Sequence, residues 1–95
     1  MADFVINNRR FQIMGAGDVS NRDGAGWELW EYVDQQWVWL LEIFRHDDLR
    51  KIDFATFSPI DIPFEALERL LHSFNTTGGK RFQPLPEDIF PADPE

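Results

Sequence analysis

Residues His46-Asp47-Asp48 put an imidazole beside two carboxylates, and Glu42 stands four positions earlier. These are donor types that hold a divalent metal for hydrolysis. On an extended strand, alternation carries Glu42, His46 and Asp48 to one side. A hydrolytic centre, however, draws its ligands from several elements and steadies each with a neighbouring hydrogen bond. The other histidine, His72, falls in a different segment beside Leu71. The triplet therefore reads as a polar turn and His72 as a helix-surface residue, so neither a metal nor another cofactor is expected.

Other arrangements are weaker still. Glu31, Glu42 and Asp53 could supply paired carboxylates, and Ser20, Ser58 and Ser73 hydroxyl nucleophiles. No serine sits in a nucleophile-elbow pattern. The pairs Gly15-Ala16-Gly17 and Gly24-Ala25-Gly26 do not join a strand to a helix, as a phosphate cradle requires. A single sheet layer with one helix offers little concavity for a substrate. The expectation is a protein that is not an enzyme.

The charge balance points elsewhere. Seventeen acidic residues against nine Lys and Arg leave a formal charge of −8 on 95 residues. That balance speaks against direct nucleic-acid binding, which needs a basic face, and against anionic membranes. It favours solubility and fast encounter with basic surfaces. Cysteine is absent, which excludes disulfides and thiolate metal sites. A secreted domain of this size usually carries staples, so a cytoplasmic home is expected. The segment MADFVINNRR lacks the apolar stretch of a signal peptide. The longest apolar run, Trp37 to Leu41, is far too short to span a bilayer. Asn75-Thr76-Thr77 matches a glycosylation acceptor but reads as a helix-end turn.

The elements that would position these residues follow from pattern. Phe4-Val5-Ile6 and Phe11 to Met14 read as strands joined at Asn7-Asn8, since Asn tolerates positive φ. Residues 15–26 are rich in Gly, Asp, Ser and Asn and read as a loop. Trp27 to Val33 and Gln36 to His46 alternate on either side of a two-residue turn, Asp34-Gln35. Asp47 to Arg50 is another turn, and Ile52 to Phe57 another strand. Pro63 opens a helix with Asp61 as its cap and Glu65 and Glu68 near its positive end. Phe64, Leu67, Leu71 and Phe74, with Leu70 beside them, form an apolar stripe of helical period. Gly78-Gly79 stops it. The predicted fold is α+β: an antiparallel meander of four to five strands, one C-terminal helix on one face, and an extended tail. The domain is placed at residues 1–79, and the acidic, proline-rich tail at 80–95.

All four tryptophans and the single tyrosine fall between residues 26 and 45. Counting outward from Asp34-Gln35 sets Trp30 opposite Trp39, Tyr32 opposite Trp37 and Glu28 opposite Leu41. Together with Ile43, Ile52 and Phe54 these make a nearly apolar face, the expected core beneath the helix. The second face then carries Trp27, Leu29, Glu31, Val33, Val38, Leu40, Glu42, Phe44, Asp53, Ala55 and Phe57. Three acids among large apolar groups suit neither a solvated nor a buried face. Either the N-terminal strands or the tail fold over it, with Arg9, Arg10 or Arg45 meeting the acids, or it takes a partner.

In size, charge and lack of cysteine the chain resembles small acidic bacterial proteins that bind and neutralise a larger partner. The resemblance implies a non-enzymatic, immunity-type inhibitor of a larger basic protein, such as a toxin acting on nucleic acid. Trp27, Glu31, Glu42, Phe44 and Asp53 are the expected contact residues, with Glu87, Asp88 and Phe90 of the tail as a second set. One alternative is a phage-type nucleic-acid mimic of the anti-CRISPR kind. Another is an accessory domain that forms a homodimer through its sheet face.

Overall fold

The computed structural model describes residues 3–16 and 24–83. Five strands lie in chain order, each antiparallel to the next: β1 (Asp3–Ile6), β2 (Arg9–Ala16), β3 (Gly24–Val33), β4 (Gln36–His46) and β5 (Lys51–Thr56). One helix, α1 (Phe64–Thr76), follows them. This is the expected α+β meander.

Two of its turns are the ones read from sequence. Asn7 and Asn8 have φ of 53° and 65°, and Asp34 and Gln35 have 52° and 66°. Positive φ at both central residues gives the turn twist that matches paired strands. The expected loop of residues 15–26 is shorter. β2 continues through Gly15 and Ala16 to pair with Trp27 and Gly26, and β3 starts at Gly24. Glycine composition concealed these strand ends. Gly26 has a packing reason: a Cβ there would stand 2.6 Å from Glu42 Oε2 and 3.3 Å from Phe44 Cδ2 on the next strand.

One irregularity decides the faces. Leu29 pairs with Leu41, yet the next residue, Trp30, pairs with Trp39. Leu40 is left over as a β-bulge. Because side chains alternate with a period of two, one extra residue exchanges the faces of everything beyond it. Glu28 therefore opposes Glu42 rather than Leu41, and Trp27 opposes Ile43.

The helix covers the face of Ile6, Phe11, Trp27, Leu29, Leu41 and Ile43, with the bulged Leu40 joining this core. Its own contribution is Ala66, Leu70 and Phe74, spaced four apart. Phe74 meets the Trp27 ring edge-on at 4.9 Å. The expected stripe is thus rotated: Phe64 and Leu71 are exposed, and Leu67 is half-buried. A 3.6-residue period permits neighbouring i, i+4 rows, and the row containing small Ala66 is the one that packs. Ile52 and Phe54 do share the face of Ile43, but they lie on the edge strand and remain exposed.

Two arginines tie the helix ends to the sheet. Arg9 forks onto Glu31, with Nε to Oε2 at 2.8 Å and Nη2 to Oε1 at 2.9 Å. Its Nη1 donates to the Asp61 carbonyl at 2.8 Å. The Glu31 hydrogen bond raises the Arg9 pKa above its usual value, so the guanidinium stays charged. Asp61 is not the helix cap. Pro63 occupies that position with no side-chain cap bond, and Asp61 contributes its backbone instead. At the other end, buried Arg45 donates to Asp47 Oδ1 at 2.8 Å and to the Gly78 carbonyl at 3.0 Å. Asp47 Oδ1 also accepts from the Gln83 amide at 2.9 Å. Arg45 thereby places a cation on the carbonyl end of the helix, where the dipole favours it. Gly78, with φ of +79°, and Gly79 end the helix as expected.

Candidate functional site: the open sheet face

The sheet face turned away from the helix is ordered in cross-strand rows. Arg10, Tyr32 and Trp37 form the first. Gln12, Trp30 and Trp39 form the second, which Phe57 extends just past β5. Met14, Glu28, Glu42 and Ala55 form the third, and Phe44 with Asp53 the fourth. Two rows are aromatic and the next is acidic.

The aromatic rows pack among themselves. Trp30 and Trp39 stack with centroids 5.6 Å apart and planes 7° apart. Trp39 meets Phe57 at 4.4 Å, and Tyr32 meets Trp37 at 5.1 Å. Arg10 Cζ lies 5.2 Å from the Tyr32 centroid and 5.3 Å from that of Trp37. Asp3 accepts from its Nε at 2.9 Å. Glu28 Oε1 accepts from Trp30 Nε1 at 2.9 Å. Among the described residues, Trp39 Nε1 is a buried donor with no acceptor. Such a group costs about 1–3 kcal/mol relative to a satisfied one. Tyr32 and Phe57 are 38% and 50% exposed, while the three indoles are half-buried.

The five expected contact residues do not share a face. Trp27 is packed beneath the helix, with Nε1 donating to Thr77 Oγ1 at 2.8 Å. Glu31 lies on that same face, held by Arg9. Glu42, Phe44 and Asp53 lie on the open face, but Glu42 and Phe44 are only 2% and 3% exposed. Asp53 is accessible, within 2.9 Å of His46 Nε2 and 3.6 Å of Lys51 Nζ. The bulge at Leu40 separates the set, since Trp27 and Glu31 stand on β3 while Glu42 and Phe44 follow the bulge on β4. Glu87, Asp88 and Phe90 lie outside the described residues.

Sequence reasoning paired Trp30 with Trp39 and Tyr32 with Trp37 correctly but assigned them to the core. A usable signal lay in β2, where Phe11 and Ile13 alternate with Arg10 and Gln12. The apolar pair marks the core side, and Trp30 and Tyr32 pair with the polar residues.

His46 reaches Asp53, whereas Asp48 Oδ1 accepts from the Leu49 amide at 2.9 Å. Among the described residues, no three His, Asp or Glu side chains converge as a metal site would require. No described helix is long and apolar enough to cross a membrane. A groove of about 470 Å³ runs between α1 and the β1–β2 hairpin, floored by Phe4 and Ile13 and rimmed by Glu65, Glu68, Arg69 and His72. Arg69 lies over the Phe4 ring at 4.7 Å.

Comparison with protein-family models, curated proteins and solved structures finds no match to this chain.

Proposed function

We propose that this chain is a non-enzymatic binding protein that neutralises a larger basic protein, in the manner of an immunity-type inhibitor, and receives it on the open sheet face. The observation that carries this reading is the run of Trp30, Tyr32, Trp37, Trp39 and Phe57 across a face the helix leaves uncovered. A folded domain rarely leaves such a run accessible without a use for it. Tryptophan and tyrosine are the side chains that most often anchor an interface. A net charge of −8 selects the sign of the partner and speeds its encounter. Asp53 is an accessible carboxylate of this face, within reach of a partner, and a cytoplasmic home belongs to the same proposal.

The test is affinity purification from the native host, at low and high salt, with the parent and a Tyr32→Ala/Phe57→Ala variant as baits. A stoichiometric basic protein retained by the parent at both salts and lost by the variant is the expected result. A partner that ignores the variant and leaves at high salt would favour a nucleic-acid mimic. No partner, with a dimer in light scattering, would make this face an assembly surface.

A further inference from the structure

Arg10 shows how this face accommodates a guanidinium. The cation sits against two rings, Tyr32 and Trp37, and is hydrogen-bonded by one carboxylate, Asp3. The neighbouring row is aromatic too, with Trp30 and Trp39 stacked in parallel and Phe57 tilted against Trp39. Among the described residues, no cation lies over these three rings. Glu28 is bound to the Trp30 indole N–H, so a carboxylate stands at the cluster and enriches the ring face it polarises.

We infer that the Trp30–Trp39–Phe57 cluster is the seat for an arginine side chain of the basic partner. The inference rests on the open face being the binding surface. A guanidinium is planar, weakly hydrated and stacks on indole, whereas the ammonium of lysine is compact and strongly hydrated. The seat therefore prefers arginine over lysine at equal charge.

The test is calorimetric titration of the whole chain with hexa-arginine and hexa-lysine peptides, at low and high salt. Hexa-arginine should bind about tenfold more tightly than hexa-lysine, and Phe57→Ala and Trp39→Leu should each weaken it about fivefold. Tyr32→Leu should weaken it far less, because that pair already holds Arg10. Near-ultraviolet circular dichroism checks that each variant is folded, and exposed Phe57 supplies the variant least able to disturb the fold. Equal binding of both peptides, lost together in salt and indifferent to Phe57→Ala, would overturn the arginine seat while leaving the basic-partner reading intact. Binding of neither peptide would overturn the seat as well. The host purification with the Tyr32→Ala/Phe57→Ala bait then decides the broader reading separately.

Discussion

Trp30 and Trp39 face each other in parallel across β3 and β4, 5.6 Å apart, on the side of the sheet the helix does not cover. One residue earlier along β3, Leu29 meets Leu41 in the core. Leu40 lies between these two pairings and has no partner on β3. That single unpaired position places Leu41 and Ile43 beneath the helix and leaves the indole pair outside.

Deleting Leu40 should remove the bulge while keeping Trp39 outside and Leu41 inside, since the remaining residues then alternate regularly. The variant should retain the circular-dichroism couplet of stacked indoles. It should lose about 2 kcal/mol in urea unfolding, the burial of one leucine. Disappearance of the couplet would mean that the strand had slipped instead.

Leu70 and Leu71 are adjacent in sequence and opposite in consequence. Leu70 is fully buried, and Leu70→Ala should cost about 2–5 kcal/mol in chemical denaturation. Leu71 is exposed, and Leu71→Ala should stay within about 0.5 kcal/mol. Equal losses would restore the stripe anticipated from periodicity, with Leu71 in the core.

Arg45 should be among the least replaceable surface-type residues. Arg45→Ala leaves Asp47 buried without its cation and removes the donor to the Gly78 carbonyl. A loss of about 3–5 kcal/mol is expected in the unfolding free energy. Arg45→Lys should recover only part of it, because an ammonium cannot fork onto Asp47 and reach the carbonyl together.

Arg9 anchors the chain entering the helix rather than the core. Arg9→Ala should speed amide exchange and proteolysis around residues 57–63, where the Asp61 carbonyl loses its donor. The global stability should fall too, by about 1–3 kcal/mol, because Glu31, buried on the helix-covered face, loses the cation that forks onto it.

What the amino-acid sequence determined by itself is local. Asn7-Asn8 and Asp34-Gln35 adopt the positive φ that closes hairpins, the alternating runs between them become strands, and Gly78-Gly79 ends the helix. Each of these depends on the conformational range of one or two residues, which neighbours can reveal. Even the pairing of Trp30 with Trp39 follows from the turn, because counting outward works until the ladder is interrupted. The sidedness of the sheet is different. Nothing in the types of Trp39, Leu40 and Leu41 marks a bulge, since all three are large and apolar. The bulge is selected by what it achieves together: Leu41, Ile43, Trp27 and Leu29 on one face against Ala66, Leu70 and Phe74, with Arg9 and Arg45 reaching both ends of the helix. A two-residue period converts that one choice into an exchange of faces. The tertiary structure alone therefore decided where β4 changes face, which sets Leu41 and Ile43 beneath the helix while Trp37 and Trp39 stay open.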